Sequence, residues 1–312
     1  MKSVPREPDD SVNLTPTHWL REATTLTVGL AVVAVGFFTT IALLVNLLAP
    51  IIPLRVETDV TEAIWGEIQE YVPEGGEDLV ARLDTLVGQL ASHWPDREYD
   101  FTVAVVEADQ PNAFALPGGL IIVTTDLIRI AESENELAFV LGHELGHFHN
   151  RDHLKALGRG ILFDLALASI GMGTGSMSNL FGSSGLLTSR SFNRRQERAA
   201  DRFGLGLMYE QYATVAGSLD FFEHDLGVTG LSETIADFAG THPGSTTRIK
   251  EMLDFVEEQG WPLDGELLPP VSLAVGPAFE SRRGHLGKRF SGKPLQACWA
   301  FACLGQKSSS TQ

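Results

Sequence analysis

The sequence is poor in cysteine, with only two in 312 residues, Cys298 and Cys303, both near the C-terminus. Residues 1–297 therefore contain no thiol nucleophile, no cysteine metal site and no disulfide bond. A glycine-rich nucleotide-binding loop is also missing, which argues against a nucleotide as partner. Basic residues are also scarce relative to acidic ones, 23 against 40, which gives a net charge of −17. A strongly acidic chain is not expected to bind nucleic acid.

A long uncharged stretch near the N-terminus is the first feature that is present. No charged residue lies between Glu22 and Arg55. As a helix, Leu26 to Ala49 would be about 36 Å long, enough to cross a bilayer core of about 30 Å. A secretory signal has a shorter apolar region and a small-residue cleavage site. We therefore favour a single-pass membrane anchor over a cleaved signal or a buried core helix.

The charges that flank this stretch predict its orientation. Lys2, Arg6 and Arg21 precede it, whereas Arg55 is the only cation soon after it. The positive-inside rule then puts the N-terminus in the cytoplasm. The chain after residue 55 is expected to be exocytoplasmic, on the periplasmic side of a bacterial inner membrane.

The anchor divides the chain into four predicted parts. Residues 1–22 are polar and contain proline, which is typical of a disordered leader. Residues 23–54 form the transmembrane anchor, and residues 55–262 form the folded domain. Residues 263–312 are predicted to be a linker and a basic low-complexity tail. The tail could contact anionic lipid or an acidic partner, although a solvated tail is the simpler expectation.

Hydrophobic spacing predicts an α+β, mostly helical folded domain. Val60 to Tyr71 and Glu77 to Trp94 have the period of amphipathic helices, and Phe101 to Glu107 has the β-branched content of a strand. Residues 112–124 contain two short apolar runs separated by Pro117-Gly118-Gly119. They predict a hairpin or a sharply bent sheet edge, with a plain structural turn as the alternative.

The most distinctive stretch is His143-Glu144-Leu145-Gly146-His147, an HExxH pattern inside an apolar run. Residues four apart share one face of a helix, so both imidazoles can face a single cation. Glu144 then lies where a carboxylate can take a proton from water. Ser133-Glu134-Asn135-Glu136 is typical of a helix start, and the apolar neighbours predict burial. Buried histidine and glutamate must be paired or liganded, which favours a metal site over two surface histidines.

Two residues compete for a third metal ligand, which a catalytic zinc site usually has. His153 lies ten residues after His143, as in the pattern HExxHxxGxxH. Glu197 lies four residues before Asp201 in a predicted helix, so one carboxylate could bind the metal while the other holds a ligand histidine. We favour Glu197, because the His153 pattern also needs a methionine-bearing turn of which we find no signature. His149 and His153 are then expected to face solvent or to support the ligands. The alternative for Glu197 is a surface glutamate paired with neighbouring arginines.

Four ordered motifs give the chain a specific resemblance. They are Asn112-Ala-Phe-Ala-Leu-Pro-Gly-Gly119, the HELGH helix, Arg194-Arg-Gln-Glu-Arg-Ala-Ala-Asp201 and Thr241-His-Pro-Gly-Ser-Thr-Thr-Arg-Ile249. Over about residues 100–255 the chain resembles the membrane-associated gluzincin peptidases typified by the CAAX prenyl endopeptidase, the heat-shock protease HtpX and the mitochondrial protease OMA. The resemblance implies a zincin-type metallopeptidase domain with an edge-strand hairpin and an HExxH active-site helix.

The resemblance also implies a role for each motif. His143, His147 and Glu197 would bind one zinc ion per chain, with Glu144 as the general base. Asp201 would support a ligand histidine without touching the metal. The strand residues that would hold the substrate are Asn112, Ala113, Phe114 and Ala115.

The implied activity is hydrolysis of peptide bonds in unfolded, damaged or membrane-associated proteins, as in protein quality control. His242 would stabilise the oxyanion of the transition state or cap the zinc. One alternative is a non-catalytic, chaperone-like zinc-binding holder, against which the intact Glu144 counts. Another is a prenyl-protein endopeptidase, which would need an intramembrane chamber that one span cannot build. Residues 161–170 are apolar but too short to be a second span, and Gly171–Ser184 is a candidate lid.

Overall fold

The computed structural model describes residues 19–68, 72–73, 76–108, 111–169, 192–225, 242 and 246–271. Most of the predicted leader, the candidate lid and the tail with both cysteines lie outside these ranges. The chain divides into two compact units, Met1–Leu47 and Leu48–Gln312, and each is described by itself.

The first unit contains one long helix, α1 (Trp19–Leu48). Large apolar side chains such as Leu26, Val33 and Leu43 are exposed on it. A continuous exposed apolar surface of this kind marks a membrane or partner contact. The stretch Trp19–Ile51 is long and apolar enough to cross a bilayer. The helix therefore suits the predicted anchor and begins a few residues before the predicted boundary.

The second unit is mostly helical, as predicted. Its described helices are α2 (Leu54–Ile68), α3 (Glu77–Ser92), α4 (Thr125–Ile130), α5 (Glu134–His149), α6 (Asp152–Ser169), α7 (Arg194–Tyr212), α8 (Asp220–Asp225) and α9 (Thr246–Gln259). The predicted start of the first of these at Val60 was wrong, because α2 begins right after Pro53. The carbonyl of Pro53 accepts a hydrogen bond from Val56 N–H at 2.9 Å. Proline suits a helix start because the N–H that it lacks would have no partner there.

A three-stranded sheet completes the unit. Its strands are β1 (Thr102–Val106), β2 (Ala113–Leu116) and β3 (Leu120–Thr124), in the order β1-β3-β2. The central strand β3 pairs in parallel with β1 and antiparallel with β2. The β2–β3 hairpin turns through a short 3-10 segment, Pro117–Gly119, in which both glycines have positive φ. The predicted hairpin is therefore present, and β2 is an edge strand.

Helix α5 occupies the centre of the unit, where every residue from Asn135 to Phe148 is buried. Its apolar side chains surround the helix, as is typical of a core helix. A main core joins Leu141 to Leu83 of α3 and Ile121 of β3. A second core joins Phe139 to residues of α7, α8 and α9. The HExxH helix is therefore held on all sides.

Helices α5 and α7 cross with their main chains almost in contact. A Cβ atom on Gly146 would lie 2.7 Å from the Cα atom of Ala200, and one on Gly204 would lie 2.8 Å from the main-chain nitrogen of His143. Real Cβ atoms do not approach other atoms this closely, so the crossing requires glycine. It brings the HExxH pattern and the turn that holds Glu197 and Asp201 into direct contact.

The segment after α9, predicted as a linker, packs against the domain. The main-chain carbonyl of Leu268 accepts a hydrogen bond from Glu134 N–H at 3.1 Å, and Leu268 N–H donates to Asn135 Oδ1 at 2.9 Å. Val271 is buried in the main core. The contacts of the folded domain therefore extend to residue 271.

Candidate metal centre

The start of α5 is fixed by local hydrogen bonds. Ser133 Oγ accepts from Glu136 N–H at 3.1 Å, as the capping pattern predicts. The Glu136 carboxylate accepts from Glu132 N–H at 2.7 Å, one residue before the position expected for a capping box. These bonds hold the first turn of the helix, and its periodicity then puts His143 and His147 on the face that meets α7.

Four side chains converge on that face. The Nε2 atoms of His143 and His147 are 3.1 Å apart, and His242 Nδ1 lies 3.1 Å from the former and 3.4 Å from the latter. Glu197 Oε1 lies 3.1 Å from His242 Nδ1 and 3.6 Å from His147 Nε2. All four residues are buried, and one donor atom from each lies within 4.8 Å of the others. The group has the composition and spacing of a metal site.

In each HExxH histidine, the hydrogen bond made by Nδ1 determines whether Nε2, the nitrogen that faces the cluster, carries a proton or a lone pair. His143 Nδ1 lies 2.9 Å from Asp201 Oδ1, and His147 Nδ1 lies 3.4 Å from Asp152 Oδ2. An ionised carboxylate only accepts, so each Nδ1 carries a proton and each Nε2 of a neutral ring presents a lone pair. Two lone pairs 3.1 Å apart repel each other unless a cation lies between them. With bonds of about 2.05 Å in tetrahedral geometry, two nitrogen ligands of zinc would be roughly 3.3 Å apart.

The pKa values of the cluster indicate where positive charge resides without a metal. Burial lowers the pKa of His143 to about 4, against the hydrogen bond with Asp201. Burial also lowers the pKa of His147, but its bonds to Asp152 and Glu197 outweigh this and raise the pKa to about 9. Of these two histidines, His147 therefore carries the proton at neutral pH. A metal ion would take its place, since metal binding releases ligand protons.

Glu197 belongs to the cluster and is not a surface glutamate. Its side chain is buried, and Glu197 Oε2 lies 2.7 Å from Arg248 Nη1. Burial raises the pKa of Glu197, but His242, His147 and His143 hold it well below the usual range. Glu197 thus pairs with Arg248 of α9 and not, as the alternative supposed, with the neighbouring arginines of its own helix. It is ionised and available as an oxygen ligand.

The competing residue His153 lies outside the cluster. It is buried, which excludes the solvent-facing alternative for this residue, and its Nε2 lies 3.0 Å from Glu57 Oε2. On the HExxH helix its Nδ1 lies 3.4 Å from the main-chain carbonyl of His147, and its ring packs against Phe148. His149 is exposed and stacks on Phe203. The spacing of the HExxHxxGxxH pattern therefore does not produce its ligand geometry here.

Sequence reasoning assigned no role to two supporting residues. Arg248 is buried and donates from Nε to Asp201 Oδ2 at 2.7 Å and from Nη2 to Asp201 Oδ1 at 2.6 Å. Its third nitrogen faces Glu197. Asp152, at the start of α6, holds His147. The motif around His242 contained Arg248, and Asp152 follows His147 by five residues, but only the folded chain brings either one to the cluster.

Glu144 lies between the cluster and the sheet edge. Its Oε2 accepts from Ala115 N–H at 2.9 Å, and its Oε1 lies 3.5 Å from His242 Nε2. Within the described part of the chain, Oε1 is buried with no hydrogen-bond partner. Burial raises the pKa of Glu144, against the positive charge of nearby histidines, which lowers it. This carboxylate is thus suited to exchange protons.

The pairing of β2 decides which main-chain groups face the centre. Thr124 N–H donates to the carbonyl of Asn112, whose own N–H donates to Thr124 Oγ1. Antiparallel pairing alternates, so Asn112 and Phe114 direct their main-chain groups toward β3. Ala113 and Ala115 direct theirs to the free edge, as the bond from Ala115 to Glu144 illustrates. Of the four predicted strand residues, these two alanines direct main-chain groups to the side where an extended chain would pair, and the N–H of Ala115 is bonded to Glu144 there.

A buried HExxH helix that faces a glutamate of a second helix, beside a free sheet edge, defines a zincin-type metallopeptidase domain. The chain belongs to peptidase family M48, whose model matches residues 77–256.

Curated relatives agree with this assignment. The chain is 32% identical over 158 residues to the mitochondrial metalloendopeptidase OMA1 of Schizosaccharomyces pombe, covering 49% of this chain and 46% of that protein. It is 27% identical over 191 residues to the beta-barrel assembly-enhancing protease of Escherichia coli, covering 55% of this chain and 38% of that protein. It is 28% identical over 190 residues to metalloprotease LoiP of Escherichia coli, covering 59% and 73%. The chain thus spans less than half the length of the first two relatives.

Proposed function

We propose that the protein is a membrane-anchored zinc metalloendopeptidase that cleaves extended segments of unfolded, damaged or membrane-associated proteins. The observation that carries the proposal is the position of Glu144. Its carboxylate is bonded to the free-edge N–H of Ala115 on one side and borders the histidine and glutamate cluster on the other. A base between a metal site and a peptide-binding strand is what amide hydrolysis needs.

In this proposal His143, His147 and Glu197 hold the metal. Two imidazoles and one carboxylate are a common ligand set for catalytic zinc, and their buried donor atoms fit one cation. When bound, zinc would act as a Lewis acid that polarises the scissile carbonyl and acidifies water. Asp201 and Asp152 orient the two imidazoles through their Nδ1 atoms, which raises the basicity of the opposite nitrogens.

Glu144 acts as the general base in this mechanism. Its free Oε1 takes a proton from the attacking water and delivers it to the leaving amine. Burial raises the pKa of Glu144, which makes its carboxylate a stronger base for this exchange. Ala113 and Ala115 bind the substrate main chain by adding it as a further strand, which gives affinity without demanding a particular sequence. Such binding suits varied unfolded clients.

His242 has two possible roles, as oxyanion donor or as a cap on the metal. Its Nδ1 lies with the ligand atoms, and its Nε2 points to Glu144. This conformation favours the capping role, because Nδ1 occupies a ligand position. With His242 in this position and all the cluster residues buried, the site is closed and must open for a substrate.

The test is Glu144→Gln in the full chain, with Glu210→Gln on the exposed side of α7 as the matched control. Glu144→Gln should retain one metal ion per chain and lose cleavage of an unfolded protein by at least about 10²-fold, the lower range for general-base catalysis. Glu210→Gln should match the wild type in both measurements. Full cleavage by Glu144→Gln would contradict the proposal, and equal capture of clients by both forms without cleavage would favour the chaperone-like holder.

A further inference from the structure

Outside the metal centre, Glu57 of α2 is a completely buried carboxylate, with no exposed side-chain surface. It accepts hydrogen bonds from Tyr99 Oη at 3.0 Å and from Gly118 N–H at 3.2 Å. His153 Nε2 lies 3.0 Å away, and Arg151 Nη1 lies 3.5 Å away. One carboxylate thus collects four donors from three separate parts of the chain.

Such an arrangement is costly unless it is complete. A buried carboxylate without partners is strongly unfavourable. Burial raises the pKa of Glu57, but the hydrogen bond and charge of His153 and the bonds from Gly118 and Tyr99 outweigh it and lower the pKa below its ordinary value. Glu57 is therefore ionised, and its hydrogen bonds fix the positions of Tyr99, Gly118 and His153.

The first connection leads to the substrate edge. Gly118 lies in the turn that directly follows β2, and its φ of 75° puts it in the left-handed region. A Cβ atom there would lie 3.1 Å from the Cα atom of Thr58, so the turn lies against the main chain of α2. Thr61 Oγ1 also donates to the carbonyl of Pro117. The turn that ends the edge strand is thus attached to α2 at two points.

The second connection leads to the end of the HExxH helix. Arg151, with a φ of 52°, forms the turn between α5 and α6, and His153 lies in the first turn of α6. Arg151 Nη1 also donates to the carbonyl of Ile52 at 2.5 Å. His153 reaches back to the main-chain carbonyl of His147. Glu57 therefore bridges the two elements whose relative position sets the distance between Ala115 and Glu144.

We infer that Glu57 is a positioning residue that fixes the substrate-binding edge strand relative to the active-site helix. Peptide binding then depends on α2, the first helix after the apolar α1 in the sequence, which lies before the residues matched by the family model. The inference rests on the proposed function for its substrate, an extended peptide. The hydrogen bonds that Glu57 of α2 accepts do not involve the side chains of the metal cluster. Loss of these bonds should therefore weaken peptide binding more than it lowers the metal content.

The experiment compares Glu57→Gln with Glu62→Gln, which changes an exposed residue of the same helix, both in the full chain in detergent micelles. Glu57→Gln should raise KM for an extended peptide by about 5–20-fold and change kcat by less than about 3-fold, with one metal ion per chain, since the hydrogen bonds to a charged carboxylate are weakened. Amide hydrogen exchange in residues 113–119 should accelerate by at least about 5-fold. Glu62→Gln should change none of these values.

Tyr99→Phe provides a milder variant, because it removes one hydrogen bond to Glu57 and keeps the ring. It should raise KM by about 2–3-fold with faster exchange in residues 113–119. Unchanged KM and exchange in Glu57→Gln would overturn the inference, as would a fall in kcat at constant KM that follows metal loss. If Glu57→Gln does not fold, an unaltered Tyr99→Phe overturns it. If the wild type cleaves no peptide, the proposed function fails, and the exchange measurements still decide the positioning role.

Discussion

At the scale of the residue, the charges of the centre are unbalanced without a cation. Glu197 and Asp201 share the single guanidinium of Arg248, while Asp152 is paired with Lys155 at 3.0 Å. Even without the buried Glu144, one negative charge therefore remains next to the two histidines of α5. An uncompensated buried charge is costly, and the raised pKa of His147 supplies a proton in response. The centre is built to hold positive charge.

The first prediction separates the two candidate third ligands. Glu197→Ala should lose stoichiometric metal, because it removes a carboxylate whose Oε2 lies 3.6 Å from His143 Nε2 and whose Oε1 lies 3.6 Å from His147 Nε2. His153→Asn should keep the metal, although the lost contact with Glu57 should lower its melting temperature. Metal analysis of both purified variants measures this. Retained metal in Glu197→Ala with loss in His153→Asn would establish the opposite ligand set.

Asp201 carries the second prediction. Asp201→Asn keeps the shape of the side chain but weakens its hold on His143 and leaves Arg248 with one fewer anion. Metal affinity or activity should fall by about 10–100-fold without disappearing, the usual effect of a residue that orients a ligand. Peptidase assays across a zinc titration should show a shifted curve. Asp254→Asn, on the exposed side of α9, is the control, and an identical curve for Asp201→Asn would contradict its supporting role.

The sequence predicted those site residues whose signal is local. His143, Glu144 and His147 follow from helical spacing and burial, and Glu197 with Asp201 from a second four-residue spacing. Arg248 could not be assigned a role, because its contacts with Asp201 and Glu197 arise only when α9 packs against α7. Glu57 was missed for the same reason, since nothing in an amphipathic pattern distinguishes a buried glutamate from an exposed one.

At the scale of the element, the crossing of α5 and α7 governs the geometry of the centre. The residues in contact are glycine or alanine at intervals of four on both helices: Gly142, Gly146, Ala200 and Gly204. Small residues let main chains approach, and a single methyl group at such a contact forces the helices apart. The distance between the HExxH histidines and Glu197 therefore depends on these glycines.

The third prediction tests this crossing with two glycines of one helix. In Gly204→Ala the new methyl group would lie 2.8 Å from the main-chain nitrogen of His143, whereas in Gly206→Ala it would meet only Trp261 at 3.9 Å. Gly204→Ala should lose about 1–3 kcal/mol of stability from overpacking and bind metal more weakly. Gly206→Ala should keep its metal and gain up to about 1 kcal/mol from helix propensity. Thermal unfolding and metal analysis measure both effects, and equal behaviour of the two variants would contradict the role of the crossing.

Element boundaries illustrate where pattern reasoning ends. The helices with strong periodicity were predicted within a few residues, and the hairpin followed from its proline and glycines. The start of α2 was missed because Leu54 to Asp59 contains no full apolar repeat and is stabilised by contacts with the turn at Gly118. Residues 263–271 are polar enough to resemble a linker, yet Leu268 completes the start of α5 through main-chain bonds. Main-chain pairing of this kind leaves no mark in side-chain composition.

At the scale of the whole molecule, an apolar helix and a metallopeptidase domain are joined in one chain. The apolar helix suggests attachment to a bilayer, and this would restrict the enzyme to clients near the membrane. The side of the membrane then decides which clients it meets. Positive charge is the available signal, since Lys2, Arg6 and Arg21 precede the apolar stretch and Arg55 follows it.

The last prediction concerns this topology, and the two cysteines of the chain serve as probes. Both lie after the folded domain, so a membrane-impermeant maleimide should label Cys298 and Cys303 in intact, mildly reduced spheroplasts if the domain is exocytoplasmic. The Cys298→Ser/Cys303→Ser variant gives the background. Neutralising Arg6 and Arg21 by glutamine should lower the labelled fraction of intact cells, because cytoplasmic retention of the N-terminus depends on those charges. Labelling that occurs only after lysis would put the domain in the cytoplasm, and the charges that flank the anchor would then not determine its orientation.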